Sequence, residues 1–263
     1  MCRIVFCLVS VFVVAFFTVG AQADLAGNLV LYLSFNQETV QGDTAKDLSP
    51  QGNDAIIHGN AELAEGKYGE AMSFDGVDDF VEVPISDTLT FTQGTTFTAQ
   101  VWVRTSDSPT KNDGVIGTYR KSTSPFWNIS VSGDNAADRG KIGFNLRDVG
   151  KAHSVGISSP NPLNDGEWHH LVGVRDQNAK KVRFYVDGGL INELDDTTED
   201  INSGQSVWIG EHLERYYMGL IDEVKVWNRA LSAAEIGESM LASAPVEPSS
   251  KLTTVWGAVK TVD

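Results

Sequence analysis

Cysteine is nearly missing from this chain of 263 residues: only Cys2 and Cys7 are present, both close to its start. They belong to a segment that opens Met-Cys-Arg, continues as an apolar run from Ile4 to Val19, and closes with Gly20-Ala-Gln-Ala23 before Asp24. A basic start, an apolar middle and a small-x-small end form the pattern of a secretory signal peptide, so residues 1–23 are expected to be a cleaved leader. Without that leader no cysteine remains. Disulfides, thiolate metal ligands and thiol nucleophiles are then excluded, even in an oxidising destination. No cysteine stands at the cleavage point either, which argues against a lipid-anchored lipoprotein. The apolar run falls short of the roughly 20 residues a membrane helix prefers. No later segment is apolar enough to span. A secreted, extracellular or cell-surface protein is the expectation, with the periplasm as the other possible compartment.

Positive charge is the second shortage. Lysine and arginine number 20 against 35 acidic residues, a formal charge of -15 that becomes -16 once Arg3 leaves with the leader. So acidic a chain is a poor partner for nucleic acid or anionic membranes. Its carboxylates suit divalent cations, or simply a solvated surface. Several catalytic signatures are missing too: there is no nucleophile elbow, phosphate loop or dinucleotide fingerprint. His169 and His170 are adjacent and point to opposite faces of a strand, while His58, His153 and His212 show no ligand spacing, which disfavours zinc.

What is abundant is alternation. Leu29, Leu31, Leu33 and Phe35 share one face. Phe97, Ala99, Val101 and Val103 oppose Thr98, Gln100, Trp102 and Arg104. Ile142, Phe144 and Leu146 alternate with Gly143, Asn145 and Arg147, and Val182, Phe184 and Val186 with Arg183, Tyr185 and Asp187. Period-2 runs broken by Asp-Gly turns predict an all-β antiparallel sandwich. The predicted core includes Leu31, Leu33, Phe74, Val101, Val103, Phe144, Val172, Phe184, Val186, Val224 and Val226. One helix is expected, Ser232–Leu241, with Ser232 and Glu235 in capping-box positions. Residues 24–243 make one domain of ordinary all-β size. Residues 244–250 read as a linker. In the tail, 251–263, Leu252, Val255, Trp256, Val259 and Val262 fit an apolar helical stripe, read either as a disordered or docked end or as a sorting tag.

The most informative stretch is Gly219-Leu-Ile-Asp-Glu-Val-Lys-Val-Trp-Asn-Arg-Ala-Leu-Ser-Ala-Ala-Glu-Ile236. Strict alternation would set Asp222 on the face of Leu220, Val224 and Val226, where a carboxylate must be neutralised, hydrogen-bonded or bound to metal. Three further segments accompany it: Ala71-Met-Ser-Phe-Asp-Gly-Val-Asp-Asp-Phe-Val-Glu-Val83, Asp165-Gly-Glu-Trp-His-His-Leu-Val172 and Phe184-Tyr-Val-Asp-Gly188. In this order the four resemble the laminin-G-like jelly-roll family of the concanavalin A-like lectin and glucanase superfamily, from about Leu29 to Leu241. The resemblance implies a two-sheet antiparallel jelly-roll sandwich with one short C-terminal helix. Animal extracellular members often carry a cystine, and its absence here favours a bacterial source.

The resemblance also implies a structural Ca2+ near the first loop and the final strand, carried over onto Asp47, Asn53 and Asp222. The alternative is that Asp222 accepts hydrogen bonds and needs no ion. Asp75, Asp78 and Asp79 do not follow EF-hand spacing and read as turn residues. Asn128-Ile-Ser130 matches a glycosylation triplet, read as coincidental. Glucanases of this fold place a carboxylate pair on one strand face. The nearest match, Glu193 and Asp195 with Glu199 too late, reads as a surface hairpin, so glycoside hydrolysis is the disfavoured alternative. Binding is the favoured reading: carbohydrate recognition or adhesion, with a structural or protein-interaction role as the other possibility. Its expected ligand residues are Glu211, Arg215, Tyr216 and Tyr217 on a loop rim, with Asn145 and Arg147 on a sheet face. The expected partner is a glycan or a surface protein.

Overall fold

A computed structural model describes residues 22–120 and 125–241. The expected leader up to residue 21, the linker and the tail lie outside the described residues. A short helix, α1 (Gln22–Gly27), precedes β1 (Leu29–Leu33), β2 (Val40–Gln41), β3 (Thr44–Ala45), β4 (Ala55–His58) and β5 (Glu62–Glu65). There follow β6 (Glu70–Asp75), β7 (Phe80–Val83), β8 (Phe97–Arg104), β9 (Asp113–Gly117), β10 (Phe126–Val131), β11 (Ile142–Arg147) and β12 (Ser154–Ser158). The chain continues through β13 (Trp168–Asp176), β14 (Lys181–Val186), β15 (Gly189–Asp195), β16 (Val207–Ile209), β17 (Glu211–His212), β18 (Arg215–Tyr216), β19 (Met218–Trp227) and α2 (Ala233–Leu241).

Two antiparallel sheets form the sandwich. One has eight strands in the order β15-β14-β13-β8-β19-β6-β5, with β1 also paired to β19; the other has nine, β12-β11-β10-β9-β16-β7-β4-β3-β2. Alternation fills the space between them. Leu31, Leu33, Val101, Val103, Phe184, Val224 and Val226 come from the eight-stranded side, and Val81, Ile116, Trp127, Ile129, Phe144 and Leu146 from the other, all in one core cluster. Of the predicted core, Val186 is only partly buried at its margin. Val172 belongs elsewhere: it faces outward with Tyr32, Val174, Tyr185 and Trp227, beneath Leu231 and Ile236.

That second cluster matters, because it seals the outer face of the eight-stranded sheet. Helix α2 lies over it, held by Ser239 Oγ donating to Gln100 Oε1 at 2.6 Å and Tyr68 Oη donating to the Met240 carbonyl at 3.0 Å. The capping box forms as expected. Glu235 accepts from the Ser232 amide at 2.8 Å, and its own amide donates to Ser232 Oγ at 3.3 Å. The outer face of the nine-stranded sheet has no such helix over it among the described residues.

Asp222 departs from strict alternation. Asp222 pairs with Trp102 and Lys225 with Gln100, so Glu223 and Val224 together oppose the single residue Val101. This is a β-bulge, with Glu223 at φ 52°. It turns Leu220 and Asp222 to the outer side while Val224 and Val226 return to the core. The acid expected among valines sits instead under the helix side of the sheet.

A candidate ligand groove on the open sheet

The open face is built from the alternate residues of strands whose other residues fill the core. In β10, Trp127, Ile129 and Val131 point inward, leaving Phe126, Asn128 and Ser130 outward. Pairing then aligns one row across six strands: Glu82, Trp208, Gly117, Asn128, Asn145 and Gly156. A groove of about 360 Å³ runs over the β10–β12 end of this row. Its floor needs glycine. A Cβ on Gly156 would stand 2.6 Å from Asn145 Oδ1, and one on Gly143 would stand 2.7 Å from Ser158 Oγ.

The floor carries a directed chain of amides. Asn145 Nδ2 donates to Asn128 Oδ1 at 3.2 Å, and Asn128 Nδ2 contacts His212 Nδ1 at 3.2 Å. An amide nitrogen can only donate, so His212 Nδ1 accepts and its ring is neutral, with the proton on Nε2. Burial, reinforced by the charges of Arg215 and Arg147, lowers the His212 pKa to about 4, in keeping with that tautomer. One wall is aromatic: Tyr119 stacks on Phe126 at 3.9 Å between centroids, and His212 tilts against Tyr119 at 4.4 Å. The Arg147 guanidinium lies 4.4 Å from the Phe126 centroid and 5.0 Å from that of Tyr119. Farther along the row, Arg120 lies 3.9 Å from the Trp208 centroid, and His58 stacks on Phe80 at 4.3 Å.

The expected ligand residues therefore divide. Asn145 and Arg147 line the groove. Tyr216 is half-buried against Phe80 at 6.3 Å, and Arg215 reaches Asp134 at 3.2 Å, both on the β17–β18 hairpin beside the groove. Tyr217 and Glu211 are corrections. Tyr217 is 1% exposed and packs in the core, edge-on to Phe74, so it offers no face to a ligand. Glu211 is 3% exposed and accepts the Glu214 amide at 2.6 Å, which closes the hairpin; burial raises its pKa. Tyr119, Phe126, Asn128 and His212 were missed. The polar alternation of Phe126, Asn128 and Ser130 was the available signal, hidden behind the glycosylation triplet. Asn128 itself is buried and its amide is engaged on both sides.

The residues expected to hold calcium already have partners. Asp47 Oδ1 accepts from the Tyr32 and Ser49 amides, both at 2.8 Å, and Oδ2 accepts from Ser49 Oγ and the Asn53 amide, both at 2.7 Å. Asn53 Nδ2 donates to the Val30 carbonyl at 2.7 Å. Asp222 Oδ2 accepts the Lys67 and Tyr68 amides at 2.8 and 3.0 Å, while its buried Oδ1 has no partner. Burial raises the Asp222 pKa to about 7. With donors aimed at both Asp47 oxygens, Asp47 and Asn53 staple the first loop to β1, while Asp222 keeps one carboxylate oxygen unengaged. Among the described residues, the carboxylates that do converge are Asp75, Asp78 and Asp79, within 4.8 Å of one another. Asp79 there accepts the Asn60 and Asp75 amides, the work of a turn.

The glucanase-like pair is spoken for as well. Glu193 meets Arg183 at 2.6 Å and Asp195 meets Lys181 at 2.8 Å, contacts that lower both pKa values and leave neither poised to donate a proton near neutral pH.

Two antiparallel sheets with one face sealed by a helix and the other open define a concanavalin A-like jelly roll. The chain belongs to the Laminin_G_3 family of the concanavalin A-like lectin/glucanases superfamily, matched over residues 75–237. Solved structures agree on the fold. The binding domain of Paraclostridial Mosquitocidal Protein 1 matches with a TM-score of 0.65 and 16% identity, over 81% of this chain and 52% of that one. The botulinum neurotoxin serotype D ligand binding domain, in complex with N-acetylneuraminic acid, matches at 0.66 and 13%, over 83% and 52%. Domain 4 of AbnA, a GH43 extracellular arabinanase from Geobacillus stearothermophilus in complex with arabinotriose, matches at 0.64 and 17%, over 81% and 98%. The chain thus spans about half the length of those toxin domains and nearly all of the arabinanase domain. No curated protein matches the sequence.

Proposed function

We propose that this protein is an exported, non-catalytic module that binds glycan in the groove of the nine-stranded sheet. The observation that carries the reading is the pairing of an amide-lined floor with a stacked aromatic wall on the uncovered face. Sugar hydroxyls need directed donors and acceptors, and the apolar face of a sugar ring needs a flat surface; the groove supplies both. Two structural neighbours were solved with sugars, and others are receptor- or ligand-binding domains of toxins, which supports a recognition role.

A glycan array of the secreted protein tests the reading. Asn145→Ala and Tyr119→Ala should each weaken the best ligand about tenfold, the equivalent of 1.4 kcal/mol. The melting temperature should stay within a few degrees of the parent. Undiminished binding by both variants places the site elsewhere, and capture of a surface protein without any glycan favours the interaction-module reading. N-terminal sequencing of the exported protein tests cleavage after Ala23.

A further inference from the structure

Asp113 is an acid on an inward face. It opens β9 and pairs with Val131 of β10, and directly paired residues of an antiparallel ladder share a face. Val131 fills the core, so Asp113 turns inward beside it at the end of the strand. The residue is 8% exposed, yet among the described residues its carboxylate accepts no hydrogen bond and joins no salt bridge. Buried carboxylates ordinarily have such partners. Asp113 lines instead a second groove, of about 640 Å³, which shares no lining residue with the groove of the nine-stranded sheet. Burial, then the charge of Asp107, raises its pKa to about 7, a cost that an arriving cation lifts.

We infer that this second groove docks a basic peptide, one lysine side chain of which sets its ammonium against Asp113. Asp75, Asp107 and Glu214 line the same groove, opposed by Lys111 and Arg215. Lys111 is exposed, and Arg215 reaches Asp134 at 3.2 Å. At Asp113 the charge of Asp107 outweighs that of Arg215, so the local field favours a cation. The mouth is apolar. Val77 is 67% and Met218 53% exposed, both in the lining, and Met218 pairs with Asp75 across β6 and β19. An alkyl stem resting on these two side chains, with its charged head at the carboxylate, is the way lysine covers apolar surface. A metal ion fits less well, because calcium needs six or more converging oxygens. Of the converging carboxylates among the described residues, Asp75, Asp78 and Asp79, only Asp75 lines this groove. The formal charge of -15 also steers a basic partner towards the protein.

The test titrates the exported protein with a fluorescent lysine-rich peptide and with its ε-acetylated form, at physiological salt. The lysine form should bind about tenfold or more tightly, and Asp113→Asn should remove about that factor while melting no lower than the parent. Asp43→Asn makes the same charge change at an exposed acid outside the groove and should leave binding within about twofold. Asn145→Ala should leave peptide binding intact, which separates this site from the glycan groove. Equal binding of the lysine and acetylated peptides overturns the inference. Equal losses in Asp113→Asn and Asp43→Asn overturn it too, since they mark diffuse attraction to an acidic surface. Tighter Asp113-dependent binding of spermidine, or of calcium alone, reassigns the groove to a free polyamine or to a metal ion and overturns the peptide.

Discussion

His212 shows how one ring's proton placement organises the groove. Its neutral Nδ1 terminates the amide chain from Asn145 through Asn128. Its folded pKa of about 4 lies below the ordinary 6.5, so the folded state takes up a proton less readily than the unfolded chain. Its contribution to stability is full above 6.5 and is lost as pH falls through 6.5 towards 4. Glycan binding should be flat from pH 8 to 5 and fail near 4, where a protonated Nδ1 would confront the Asn128 donor. A titration of binding against pH checks this. Asp113 has the opposite sign. Burial, then the neighbouring Asp107, raises its pKa to about 7, so this group costs stability as pH rises from 4 through 7. Asp113→Asn should stabilise the fold by on the order of 2 kcal/mol at pH 8 and by almost nothing at pH 4, as read by urea melts at the two values.

Strand β19 and helix α2 are the elements that decide which face stays open. The bulge at Glu223 delivers Asp222, Glu223 and Lys225 to the helix side. There Glu223 accepts from Tyr32 Oη at 3.0 Å and pairs with Lys225 at 2.7 Å. Burial lowers the Lys225 pKa and raises that of Tyr32. Glu223→Ala removes the carboxylate that both groups contact in this buried cluster and should cost roughly 3–5 kcal/mol, measured by denaturant unfolding. At α2 the reciprocal bonds of Ser232 and Glu235, with Arg229 drawing the Glu235 pKa down to about 2, fix where the helix starts. Ser232→Ala should cost about 1 kcal/mol in the same measurement.

For the whole molecule, the sandwich closes by hydrophobic burial and by carboxylates that accept backbone amides, without a disulfide in the described residues. Asp47 ties the loop of Ser49 and Asn53 to β1, and Asp222 ties the 67–68 turn to β19. Melting in calcium and in chelator tests whether these residues also hold an ion, and identical curves leave them as loop staples alone. A calcium-dependent rise abolished by Asp222→Ala would instead assign an ion to these residues.

The sequence alone determined the two-sheet sandwich, its single capped C-terminal helix and most of its core. These follow from local periodicity and capping chemistry, which each segment carries within itself: Phe144 between Gly143 and Asn145, Ser232 three residues before Glu235. That Asn145 and Arg147 are polar residues on an outward face was legible the same way, and both line the groove. Tertiary structure decided the rest. One inserted residue at Glu223 moved Asp222 to the other face, a shift invisible to a period-2 reading. The adjacent Tyr216 and Tyr217 parted, one beside Phe80 and the other into the core, because successive residues of an extended chain point opposite ways. The groove itself joins Tyr119, Asn128, Asn145 and His212, residues of separate segments that only strand order and the placement of the β17–β18 hairpin bring together.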